Sequence, residues 1–105
     1  MDAQLKRGII EICVLSALME GDSYGYKIIK DLRELVKLSE STLYPVLKRL
    51  ESADALESYT VEHGGRLRRY YRIIPAGRKK IGEFLDEWRE VMKIYDFISG
   101  RKERL

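Results

Sequence analysis

Apolar residues crowd the first helix-length stretch of the chain. Within residues 4–20 fall Leu5, Ile9, Ile10, Ile12, Cys13, Val14, Leu15, Ala17 and Leu18. A helix that apolar on most sides belongs in a core or a shared interface. Gly21 predicts its end, and Asp22 or Ser23 is suited to cap the next helix. That second helix, over residues 24–35, turns Ile28, Ile29, Leu32 and Leu35 to one side and Lys27, Lys30 and Arg33 to the other. Gly25 weakens it slightly, which predicts close packing against a neighbour. Ser39 or Ser41 then caps a third helix running to about residue 52. Leu43, Val46, Leu47 and Leu50 recur at i, i+3, i+4 and i+7 and define its buried face. Thr42, Tyr44, Lys48, Arg49 and Glu51 are left on the outer faces, and Pro45 fits if it lies in about the first turn.

Beyond the third helix the period changes from helical to alternating. Residues 56–62 and 68–74 are rich in Tyr, Thr, Val and Ile and read as two strands. His63-Gly64-Gly65 tolerates positive φ, so the strands fold back as a hairpin. Pro75-Ala76-Gly77 ends the second strand, and a long helix follows over residues 78–99. Its apolar positions are Ile81, Phe84, Leu85, Trp88, Val91, Met92, Tyr95 and Ile98, a seam with a near-heptad period. The predicted fold is mostly α with a small β-hairpin (α+β). A winged helix-turn-helix domain spans residues 1–75, and a long C-terminal dimerisation helix with a short basic tail spans 76–105. Exposed stripes of this size are rare on monomers, so two copies are expected to pair through the seam. The competing arrangement folds the last helix back onto its own domain.

At 105 residues the chain makes one compact domain with an appended helix. The net charge of +3 is small, but its placement matters. Residues 39–80 carry nine Lys/Arg against five Asp/Glu, while the segments on either side are neutral or slightly acidic. The excess therefore sits on the third helix, the hairpin and the turn after it, where a polyanionic partner would meet it. The lone cysteine, Cys13, rules out an internal disulfide, and the lone histidine, His63, lies fifty residues away. No Ser/His/Asp or Cys/His set, metal-ligand cluster or phosphate-binding glycine loop stands out. No enzyme, metal or cofactor is expected. Nothing reads as a signal peptide or membrane span, which places the chain in the cytoplasm.

A helix with a polar, cationic outer face followed by a glycine-tipped basic hairpin suits double-stranded DNA, with the helix in the major groove. The Ser39, Ser41 and Thr42 hydroxyls and the helix-terminal amides fit phosphate or base-edge contacts. Tyr44 and Lys48 lie one turn apart on the outward face, with packing against the wing as the competing role for Tyr44. Arg66 and Arg68 put cations near the wing tip. Lys6, Lys27 and Lys30 are weaker candidates for clamping the backbone. Tyr70 and Tyr71 face opposite sides of their strand, so one belongs to the core. Trp88, mid-seam, is large enough to leave gaps beside a two-fold axis where a flat effector could stack, with a plain hydrophobic knob as its competing role. A winged helix serving as a protein–protein adaptor, without DNA, is the alternative.

With these elements in this order, the chain resembles the PadR family of bacterial transcriptional regulators, in its short-chain subgroup. The matching residues are Gly25-Tyr26, the run from Ser41 to Glu51, Gly64-Gly65-Arg66, Arg69-Tyr70-Tyr71-Arg72 and Ala76-Gly77. Two positions depart from the family pattern: Ser41 and Ala55 stand where or near where glycine is usual. The first adds a hydroxyl at the helix start, and the second stiffens the corner between helix and wing. The resemblance implies a homodimeric repressor on a palindromic operator, released by a small, frequently aromatic effector. Such an effector would sit in the dimer interface or in the crevice between the winged domain and the last helix.

Overall fold

The structure, a computed structural model, describes residues 1–100. The basic tail expected over residues 100–105 lies, beyond Gly100, outside them. Helix α1 (Ala3–Ala17) opens on Asp2, whose carboxylate accepts from the Leu5 N–H at 3.0 Å. It ends earlier than its apolar run. Leu18 and Met19 donate three residues back, to Leu15 and Ser16, tightening the last turn.

Helix α2 (Gly25–Leu32) is shorter than the pattern predicted, and neither Asp22 nor Ser23 caps it. Ser23 is instead pulled into extended pairing with Tyr71, donating at 3.1 Å and accepting at 2.7 Å. Tyr24 takes the cap position with no side-chain bond. The closeness expected at Gly25 is real. A Cβ there would stand 2.5 Å from the Tyr44 hydroxyl.

Helix α3 (Glu40–Ser52) is capped by Ser39, which accepts from the Thr42 N–H at 3.2 Å. Pro45 is the sixth residue of the helix, past the first turn, and has no N–H to give the Ser41 carbonyl. The helix closes in a Schellman arrangement: Ala55 donates to Leu50 and Asp54 to Glu51. Asp54 takes the left-handed corner, at φ 57°. The turn into the wing is therefore made one residue before Ala55.

Strands β1 (Leu56–His63) and β2 (Arg66–Ile73) pair antiparallel around a two-residue turn. Gly64 and Gly65 have φ of 59° and 80°, a conformation few other residues adopt, and its twist matches the flanking strands. The turn leaves Arg66 and Leu67 inside the ladder, so β2 starts two residues before its alternating pattern. Leu56, Tyr71 and Ile73 face the core, whereas Glu57, Tyr59, Val61, Arg68, Tyr70 and Arg72 share the other face.

Helix α4 (Pro75–Ile98) also begins earlier than expected, with Pro75 in its first turn where a missing N–H is harmless. Gly77 is buried there because the Ala55 carbonyl presses against it. The core is built by α1, α2, α3 and the hairpin, around Val14, Leu15, Ile28, Leu43, Leu47 and Leu56. From α4 only Ile81 packs against it. The remainder of α4 projects outward and stretches the molecule to 60 × 26 × 23 Å.

Candidate nucleic-acid interface

With Leu43, Val46, Leu47 and Leu50 turned inward, the opposite face of α3 carries Ser41, Pro45, Lys48 and Ser52, all exposed. At its start three hydroxyls meet: Ser39 Oγ lies 2.9 Å from Ser41 Oγ and 3.1 Å from Thr42 Oγ1. These are the residues the sequence nominated, and the fold brings them together around one helix terminus. Tyr44 is exposed along part of its ring, and its hydroxyl end lies against Gly25 of α2. Lys48 points outward and shares an open hollow of about 670 Å³ with Pro45, Ser52 and Lys80. Lys80 belongs to α4, and no sequence signal connects it to Lys48. Lys6 lines a second groove of about 390 Å³ beside Ser41 and Thr42. Lys27, in contrast, is held by Asp31 at 2.7 Å on its own helix.

The arginines divide into two groups. Arg49 reaches Glu11 at 3.1 Å, Arg69 meets Glu51 at 3.5 Å and Ser58 Oγ at 2.8 Å, and Arg72 bridges Asp22 and Glu57. Among the described residues no carboxylate pairs with Arg66, Arg68 or Lys48. Arg66 stands exposed at the hairpin tip opposite His63. Arg68 is half-buried, with its guanidinium 4.2 Å from the Tyr24 ring centroid. On α3 and the wing, then, Lys48, Arg66 and Arg68 keep unpaired charge while Arg49, Arg69 and Arg72 are compensated.

One feature of the wing escaped the sequence. Tyr59 and Tyr70, cross-strand partners, stack at 5.8 Å, and Tyr24 meets Tyr70 edge-on at 5.4 Å. Tyr59 donates to the Asp22 carboxylate at 2.6 Å, which raises its pKa above the usual tyrosine value. Arg72 lies 4.8 Å over the Tyr59 ring, and its bond to Glu57, reinforced by Asp22, holds the guanidinium firmly charged. Tyr71 fills the core position that one of the adjacent tyrosines had to take. Alternation along β2 told the faces apart, but the meeting with Tyr24 depends on how the α1–α2 connection packs.

Along α4, Phe84 and Trp88 are half-buried, with rings tilted at 5.7 Å. Leu85, Val91, Met92 and Tyr95 are exposed, and Leu85, Trp88 and Met92 border an open hollow of about 320 Å³. Cys13 is partly buried in α1, and burial raises its thiol pKa. Among the described residues no group of His, Cys, Asp or Glu is placed to hold a metal ion, and no helix is long and apolar enough to cross a membrane.

Three helices, a pairing hairpin and a trailing helix define a winged helix-turn-helix protein. Residues 14–83 match the model of the PadR-like family of transcriptional regulators. A transcriptional regulator from Clostridium thermocellum is 39% identical, covers 90% of this chain and 96% of its own, and superposes with a TM-score of 0.80. The transcriptional regulator Rv3488 of Mycobacterium tuberculosis is 33% identical over 81 residues, 76% of each chain. The chain belongs to the PadR-like family of transcriptional regulators. The fold is also that of the Bacillus subtilis PadR solved in complex with operator DNA (TM-score 0.69, 21% identity, 73% of this chain and 46% of that one).

Proposed function

We propose that this protein is a sequence-specific, double-stranded-DNA-binding regulator acting as a homodimer. Its α3 enters the major groove through Ser39, Ser41, Thr42, Tyr44 and Lys48. Arg66 and Arg68 of the wing contact the backbone or minor groove alongside. The observation that carries this reading is the division of the cations. Arg49, Arg69 and Arg72 are neutralised by acids of the protein itself, whereas Lys48, Arg66 and Arg68 are not. A phosphate backbone supplies the missing negative charge and releases condensed counterions on binding. The operator duplex solved with Bacillus subtilis PadR supports the same partner for the fold.

Dimerisation follows from the uncovered stripe on α4. Ile81, Phe84, Leu85, Trp88, Val91, Met92 and Tyr95 would pack against their counterparts and against α1 of the second copy. Two reading heads related by a two-fold axis match a palindromic operator. Repression is the regulatory outcome this arrangement favours, with a planar aromatic effector at Trp88 weakening the grip. Titrating planar aromatics against the fluorescence of the single tryptophan tests that last element. Absence of quenching across a broad panel removes Trp88 from it.

The DNA-binding test is fluorescence anisotropy on a mixed-sequence duplex at a series of salt concentrations. Arg66→Ala combined with Arg68→Ala is expected to weaken binding to all sequences. The log–log salt slope should fall by about one for each lost phosphate contact. An unchanged slope would dismiss the wing as a phosphate contact. A wild-type protein that ignores duplex at low salt would favour the adaptor role instead.

A further inference from the structure

Arg68 and Arg72 occupy the same face of the wing, and each lies over a tyrosine ring, yet they are held differently. Arg72 sits over Tyr59 with its in-plane donors engaged by Asp22 at 3.2 Å and Glu57 at 3.1 Å. Arg68 sits closer to its ring, Tyr24, and among the described residues neither a carboxylate nor a hydrogen-bond acceptor meets its donors. Its guanidinium carbon stands 4.2 Å from the centre of the ring, and its donors are unengaged.

Tyr24 is itself firmly placed. Its ring stands edge-on to Tyr70, Tyr70 stacks on Tyr59, and the Tyr59 hydroxyl is bonded to Asp22. One residue before it, Ser23 exchanges both main-chain hydrogen bonds with Tyr71. The α1–α2 connection is thus fastened to the wing at the two residues just before Tyr24. A guanidinium held over a fixed ring has already lost much of its rotamer freedom, while its N–H groups remain able to donate. Less is then left to lose when a phosphate arrives.

We propose that Tyr24 is a positioning residue for DNA binding: its ring holds the Arg68 guanidinium in place and leaves the N–H groups for a backbone phosphate. This rests on the DNA-binding reading above and adds to it a residue that touches no DNA.

A double-mutant cycle tests it, using anisotropy on the same mixed-sequence duplex and proteins verified as folded by circular dichroism. Arg68→Ala should weaken binding and lower the salt slope by about one, since a phosphate contact is lost. Tyr24→Leu should weaken binding about two- to five-fold per wing, the range of a surface cation–π contact, with the slope unchanged. In the Arg68→Ala background the Tyr24→Leu loss should vanish, and Tyr24→Phe should bind like wild type. A Tyr24→Leu loss of equal size with and without Arg68 would make Tyr24 an ordinary structural residue and overturn the proposal. Wild-type affinity in Tyr24→Leu would overturn it as well. If Arg68→Ala itself changes neither affinity nor slope, Arg68 is no phosphate contact and both readings of it fall, whereas Tyr24 alone is at issue otherwise. Should Tyr24→Leu not fold, side-chain Nε relaxation in the free wild-type protein decides the matter. Arg68 should be as rigid as Arg72 on the ps–ns timescale and Arg66 mobile. A mobile Arg68 would end the proposal.

Discussion

Helices α3 and α4 carry the same local signal and meet different fates. Both repeat large apolar residues at i, i+3, i+4 and i+7. In α3 those residues vanish into the core, with Leu43 at 0% exposure and Leu47 at 1%. In α4 the stripe stays open, with Leu85 at 52%, Tyr95 at 51% and Met92 at 47%. The hydrophobic effect is indifferent to where apolar area is buried. A stripe therefore announces that a face will be covered and says nothing of what covers it. In α3 the cover is the same chain, and the polar back of the helix is released for function. In α4 the described residues leave Leu85, Val91, Met92 and Tyr95 exposed and Phe84 and Trp88 only half-buried, which is why a second copy is the natural complement.

The contrast breaks most sharply at matched leucines. Leu47→Ala should lower unfolding free energy by about 2–5 kcal/mol at any protein concentration, because it leaves a cavity in a closed core. Leu85→Ala should change the stability of the dilute, monomeric protein by less than about 0.5 kcal/mol, as an exposed position does. Denaturant titrations at two concentrations measure both. A concentration-independent loss at Leu85 as large as that at Leu47 would mean α4 is covered within its own chain.

Charging the open stripe is the next test. Leu85→Glu with Met92→Glu should leave the fold intact by circular dichroism but weaken self-association at least about a hundred-fold, since like charges would face across the two-fold. Sedimentation of wild type and variant reads this directly, and identical behaviour would assign the stripe to another occupant.

Where α4 does join the core, the joint is tight. Gly77→Ala would drive a methyl group into the Ala55 carbonyl. It should cost about 1–3 kcal/mol through forced displacement of backbone. A neutral Gly77→Ala would mean that the α4 root is loosely held, and the comparison with α3 would soften. The smallest effect is expected at the end of α3. Asp54→Gly relieves the left-handed backbone at φ 57° and should raise stability by about 0.5–1 kcal/mol, less whatever entropy glycine adds to the unfolded chain. A thermal melt suffices, and a lowered midpoint would show that the aspartate side chain compensates for its own strain.

Much of the fold was legible because its signals are local. The four helices, the hairpin and the inward face of α3 follow from period and from Gly64-Gly65. The element ends were less legible. Ser23 left its capping role because pairing with Tyr71 satisfies two main-chain groups at once, and that partner lies 48 residues away. Pro45 lies deeper in α3 than expected because Ser39 rather than Ser41 caps the helix. In the candidate interface, Ser39, Ser41, Thr42, Lys48, Arg66 and Arg68 could be named from outward positions and charge. That Arg69 and Arg72 are neutralised while Arg66 and Arg68 are not could not be read in advance, because Glu51, Asp22 and Glu57 reach them only through the packing of the wing.

By itself, then, the order of residues determined what each segment is: which stretches coil, which pair, and which faces avoid water. Those properties depend on neighbours within a turn or a hairpin. Only the tertiary structure decided which cations remain free, that Tyr24 lies beneath Arg68, and that much of the α4 stripe is left exposed by its own domain. Charge pairing and ring stacking require side chains from distant segments to meet within a few ångströms, and no periodicity along the chain encodes that meeting.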